Sequence, residues 1–211
     1  MVVRLAVALV GLLLVACASA GQSTPSGGVR VSGVLLVPAE PSLRESCLRA
    51  AAVGGFVVPC PRLILEHRRP VGESCPESDF NARAGGKDCL EDSAVVSPSL
   101  PSRRDAFTYV QNDIVLDGGL HLFVVGVKED SPLAALRSGC IGPESTEAGS
   151  PMDGAATTWV ECPDSGGMHA GHVLLRWTRG GVIYAVSLHG HTAINRQVEL
   201  AIARSIEYVA P

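Results

Sequence analysis

The chain has 211 residues, with 17 Lys and Arg against 21 Asp and Glu, and a formal net charge of −4. Its basic clusters are no longer than the pairs Arg68-Arg69 and Arg103-Arg104, which argues against nucleic acid as a partner. Aromatic residues make up 4% of the chain, so the core is expected to be aliphatic, and the length suits one domain better than two.

Met1 to Arg4 is a short positive segment, and Leu5 to Val15 is an apolar run too short to cross a bilayer comfortably. That layout predicts an export signal rather than a fold element. Leu14-Val15-Ala16-Cys17 closes the run and resembles the lipobox of bacterial lipoproteins. The resemblance implies a signal peptide over 1–16, a diacylglycerol thioether on Cys17, cleavage before it and acylation of the new amine. It further implies a protein anchored by lipid to the outer side of the cell membrane, since each buried methylene contributes about 0.8 kcal/mol. Ala18-Ser19-Ala20 also fits an ordinary secretory cleavage site, which would release a soluble protein instead. Residues 17–28 are rich in Ser, Gly and Thr and read as a flexible tether.

Six further cysteines, Cys47, Cys60, Cys75, Cys89, Cys140 and Cys162, form an even set in a chain addressed to an oxidising compartment. Six cysteines permit fifteen pairings. Local spacing favours Cys47 with Cys60, Cys75 with Cys89 and Cys140 with Cys162, each worth about 3 kcal/mol in the chain-entropy view. Zinc ranks below disulfides because no Cys-x-x-Cys pair occurs.

Val29 to Pro38 branches and alternates like a first strand. Pro41 to Val53 reads as a helix, with Leu43, Cys47, Leu48 and Ala51 on one stripe and Gly54-Gly55 as its stop. Short extended runs follow at 56–58 and 63–65. From about 68 to 104 the chain is a polar excursion rich in Pro and Gly. Strands are expected at 106–116 and 121–128, around the turn signal Asp117-Gly118-Gly119. A short helix over 131–138, a polar loop over 142–155 and a strand over 157–162 come next.

The clearest pattern lies near the C-terminus. Val173, Leu175 and Trp177, then Val182, Tyr184, Val186 and Leu188, alternate with a more polar set. A two-residue turn pairing Thr178 with Gly181 puts these seven on one face. Thr192 is then expected to cap a helix whose Ile194, Val198, Ala201, Ile202, Ile206 and Val209 lie on that face. The expected fold is α+β: a single domain over 29–211, mainly antiparallel sheet, with the C-terminal helix packed on it and disulfides stabilising it. The Leu-x-Trp-x-x-Gly-Gly-Val-x-Tyr run and the following helix resemble the ending of small actinobacterial lipoproteins. They are also similar to the closing hairpin and helix of lipoprotein-carrier-like and PsbP-like domains. That second likeness implies a carrier of an apolar ligand held between sheet and helix.

Chemistry-bearing motifs are few. Cys162-Pro163-Asp164-Ser165-Gly166-Gly167 resembles the Gly-Asp-Ser-Gly-Gly nucleophile loop of trypsin-like serine proteases. Pro163, however, has no N–H to give an oxyanion where that family uses one, so the segment reads as a polar turn. His169, His172, His189 and His191 cluster in sequence around the last hairpin. His172 and His189 fall opposite the aliphatic face at its open end, with His169 and His191 in the flanking loops. Neighbouring strands stand about 5 Å apart, so three of these imidazoles, His172, His189 and His191, could meet one Zn²⁺ or Cu²⁺ ion. A solvated polar face is the alternative. The expectation is thus a non-catalytic envelope lipoprotein that binds or supports, partnered with the membrane through its lipid and needing no cofactor. A histidine-based metal site and an apolar-ligand carrier are the two alternatives.

Overall fold

A computed structural model describes residues 27–66, 86–93, 99–112, 121–164 and 167–211. Cys17 and the lipobox, Cys75, the Asp117-Gly118-Gly119 turn and Ser165 lie outside the described residues, as does the side chain of Cys89.

The first expected strand is a hairpin, β1 (Val29–Val31) and β2 (Val34–Pro38). Ser32 and Gly33 take φ of 49° and 86° at its turn. Helix α1 (Pro41–Gly54) starts with Pro at its first position, where the missing N–H costs nothing, and stops at Gly55 with φ 64°. Strands β3 (Val58–Cys60) and β4 (Leu63–Leu65) follow, and β4 joins β2 in a small sheet ordered β1-β2-β4. The disulfide Cys47–Cys60, with Cα atoms 5.8 Å apart, ties α1 to β3.

A seven-stranded antiparallel sheet carries the rest, in the order β5-β6-β7-β11-β10-β9-β8. Its strands are β5 (Gly86–Asp92), β6 (Arg104–Asn112), β7 (His121–Lys128), β8 (Ser145–Ala148), β9 (Thr157–Glu161), β10 (His172–Arg179) and β11 (Val182–His189). Two polar stretches read as loops thus contain the edge strands β5 and β8. A short edge strand takes its conformation from the backbone partners a neighbour offers, so its own sequence need not alternate. Buried Gln111 of β6 accepts from Leu65 N–H and donates to Leu65 C=O, joining the small sheet to the large one.

The last hairpin pairs Trp177 with Tyr184, Leu175 with Val186 and His172 with His189. The expected pairing of Thr178 with Gly181 is therefore displaced by two residues: the turn is Gly180-Gly181, with Arg179 opposite Val182. Both turn glycines have positive φ, 59° and 73°, as the favoured two-residue hairpin turn requires, whereas a turn at Arg179-Gly180 would force an arginine there. A shift of two preserves the faces but brings the two histidines directly opposite each other.

Helix α3 (Ala193–Arg204) packs on β10 and β11, capped by Thr192 accepting from Asn195 N–H at 3.0 Å. Its buried residues are Asn195, Val198, Glu199, Ile202 and Ala203, while Ile194 is 44% exposed. The helix also ends earlier than expected. Val209 lies beyond it in β12 (Glu207–Val209), which pairs with β3.

Each face of the sheet has its own core. Leu175, Trp177, Tyr184, Val186 and Leu188 meet α1, α3 and the small sheets. Phe123, Val125, Val127, Leu174 and Ala185 meet Leu133 beside the short helix α2 (Ala134–Ser138), together with Val160 and Met168. The disulfide Cys140–Cys162, with Cα atoms 5.3 Å apart, fixes the chain leaving α2 to the end of β9.

Candidate metal centre

Three adjacent strands, β7, β11 and β10, bring a histidine to the same end of the sheet on the α2 face. His172 opens β10 and His189 closes β11 opposite it. The β11–β7 register ends at Leu188 opposite Leu122, so His121 stands opposite His189 one position further on. His121 and His172 therefore flank the central strand, about 10 Å apart along the sheet at two strand spacings. Their rings nonetheless meet, with centroids 4.6 Å apart.

One nitrogen from each of His121, His172 and His189 lies within 4.8 Å of the other two. His172 Nε2 is 2.8 Å from His121 Nε2, and the His172 and His189 rings stand edge to face with centroids 5.2 Å apart. His172 is fully buried, while His121 and His189 are half-buried, so the group is reachable from one side. His189 Nδ1 is buried with no hydrogen-bond partner among the described residues, a free lone pair or an unsatisfied N–H. Burial lowers His121 to about 4, with repulsion from His189 adding to it. Burial, then the charges of the surrounding imidazoles, holds His172 far below the ordinary histidine range. His121 and His172 are accordingly neutral at pH 7, the state in which imidazole ligates metal.

Three imidazoles suit Zn²⁺ or Cu²⁺. Zn–N bonds of about 2.0–2.1 Å in tetrahedral array set ligand nitrogens about 3.3 Å apart, so an ion would part the His121–His172 contact by about half an ångström.

Behind the three rings a second polar layer is fully connected. Ser187 Oγ lies 2.7 Å from His172 Nδ1 and 2.9 Å from His169 Nδ1, and His169 Nε2 lies 3.0 Å from the Arg137 carbonyl oxygen. Ser187 and His169 are buried, and burial lowers His169 to about 4. The Arg137 carbonyl lies in the last turn of α2, where carbonyls turn to partners outside the helix. The neighbouring Ser138 carbonyl is likewise taken by a side chain, Arg176, at 3.0 Å.

Of the four histidines singled out in the sequence, the structure brings His172 and His189 into the group. It places His169 one hydroxyl behind it. His191 is exposed and stands outside it, because Gly190, with φ 95°, turns the chain off the strand and Thr192 then opens α3. His121 was not among the candidates. Its only signal is that it begins a strand, as His172 does, on the parity of Phe123, Val125 and Val127. Ser187 had a clearer mark: a small polar residue on the His189 parity inside an aliphatic strand.

No protein-family model, curated protein or solved structure matches this chain.

Proposed function

We propose that the chain is an exported lipoprotein, anchored through Cys17, whose domain binds one divalent transition-metal ion through His121, His172 and His189 and catalyses no reaction. The observation that carries the metal reading is the convergence of three ligand nitrogens within 4.8 Å at one end of the sheet. His189 Nδ1 is buried with no hydrogen-bond partner among the described residues, and an incoming ion would give it one.

The reading of an exported anchor rests on the Arg4, Leu5 to Val15 and Leu14-Val15-Ala16-Cys17 pattern. The paired cysteines are in keeping with an oxidising compartment. The apolar-carrier alternative has less support. Where α3 meets the hairpin, Leu175, Val186, Leu188, Val198 and Ile202 all have no exposed surface.

The test is titration of tag-free protein with Zn²⁺ and Cu²⁺. One equivalent should bind, and an ion at about 100 times its Kd should raise stability by about 2.7 kcal/mol. His172→Ala should abolish the shift. Protein that purifies empty and melts at the same temperature with and without excess of either ion would refute the reading.

A further inference from the structure

The buried layer behind the three rings determines which nitrogen His172 offers. The Arg137 carbonyl can only accept, so His169 Nε2 at 3.0 Å must donate to it. A neutral His169 then has a bare Nδ1, and the only proton for that contact is the Ser187 hydroxyl at 2.9 Å. Ser187 has one proton, so its oxygen must accept at the other contact, from His172 Nδ1–H at 2.7 Å. His172 Nε2 is thereby left as a lone pair, directed at the mouth of the site where His121 Nε2 stands 2.8 Å away.

We propose that His169 and Ser187 are positioning residues that hold His172 as its Nδ1–H tautomer and present its Nε2 lone pair to the metal ion, with the Arg137 carbonyl as their fixed end. This rests on the metal reading above. In metal sites the hydrogen bond on the far nitrogen of a ligating histidine sets its tautomer and orientation. Here a serine and a second histidine do so in place of the more usual carboxylate.

The same logic runs forward to the mouth of the site. In the metal-free protein His172 Nε2 accepts, so His121 Nε2 must donate, and His121 is its Nε2–H tautomer. An ion taken by both Nε2 atoms leaves His172 as it was and moves the His121 proton to Nδ1, on a ring that solvent can reach. Nothing is gained or lost overall; one proton changes nitrogen on one ring.

Imidazole ¹⁵N–¹H correlation spectra of the full domain test this without metal and with Zn²⁺. The expected result is Nδ1–H at His172 in both spectra, and a change from Nε2–H to Nδ1–H at His121 on adding Zn²⁺. Ser187→Ala should populate the Nε2–H form of His172 and weaken Zn²⁺ binding 10- to 100-fold, with the circular dichroism of the folded protein retained. His169→Gln, which keeps one donor and one acceptor, should stay within a few-fold of the natural protein. Nε2–H at His172 in the metal-free natural protein would overturn the inference, as would a Ser187→Ala protein unchanged in both tautomer and affinity. Should Ser187→Ala fail to fold, the His172 tautomer of the natural protein decides alone. A natural protein that shows the expected tautomers but binds neither Zn²⁺ nor Cu²⁺ refutes the metal reading and this role with it. One that binds an ion with His172 as Nε2–H overturns only the positioning role.

Discussion

Two residues show how backbone and charge are used near the site. Gly171, with φ 69°, lies between His169 and His172, and a Cβ there would stand 3.0 Å from His189 Cε1 and 2.8 Å from Asp164 Oδ1. Gly171→Ala should therefore displace the His189 ring and reduce Zn²⁺ affinity at least tenfold while leaving the hairpin paired. Unchanged affinity in a folded variant would show that His189 is not held by this close approach. Glu199 is the second case. It is fully buried on α3, accepting from Leu188 N–H at 2.8 Å through Oε1 while Oε2 has no partner among the described residues. Burial raises its carboxyl well above the usual range, more than the Leu188 hydrogen bond lowers it. The folded state then keeps a proton that the unfolded chain releases above about pH 4.3. Stability from this group is complete below that pH and falls as pH rises toward the folded value, by at most about 1.4 kcal/mol per pH unit. Glu199→Gln cannot ionise, so its melting temperature relative to the natural protein should climb as pH rises above 5 and level off where the folded carboxyl itself ionises. Parallel melting profiles across that range would contradict the assignment.

At the scale of elements, the last hairpin is where sequence and structure can be compared most closely. The alternation of Leu175, Trp177, Tyr184, Val186 and Leu188 gave the buried face of both strands, because one-residue slips are excluded by burial. A two-residue slip is not, since it returns every side chain to the same face. Only the turn distinguishes them, and the deciding fact is that both central residues need positive φ. Gly180 and Gly181 have no heavy atom within 4 Å of the place a Cβ would take. Gly180→Ala and Gly181→Ala should thus each cost about 1–2 kcal/mol through backbone conformation alone, measured by denaturant midpoints at constant slope. A neutral result at either position would show that the turn is not held in the left-handed region. The metal group was half legible for a related reason. His172 and His189 sit on one hairpin, whose pairing is local. His121 joins them through the β7–β11 pairing, which brings together residues more than fifty positions apart and leaves no mark in either segment. His191 misled because its closeness in sequence does not survive the turn at Gly190. Val209 misled in a similar way, as a strand residue at helical spacing.

For the molecule as a whole, the question is how an anchor and a site act together. Under the proposed anchoring, residues 17–28 would connect Cys17 to β1, a stretch of chain that can span at most about 40 Å. Nothing in the site's construction depends on that connection. His121, His172, His189 and Ser187 come from the sheet, Arg137 from α2 and His169 from the turn leading into β10, all held by backbone pairing and by the Cys140–Cys162 disulfide. The anchor is then a matter of location and the site a matter of fold, and the two should separate cleanly. Cys17→Ser, expressed in a bacterium that processes lipoproteins, should leave the lipid-bearing membrane fraction and lose the mass of its acyl chains. The Zn²⁺ affinity of its folded domain should stay within a few-fold of the anchored protein's. A variant that keeps its acylated mass would place the lipid elsewhere. A variant that loses its lipid and, though folded, also loses Zn²⁺ affinity would mean that the membrane surface itself contributes to the site, against the self-contained construction described above.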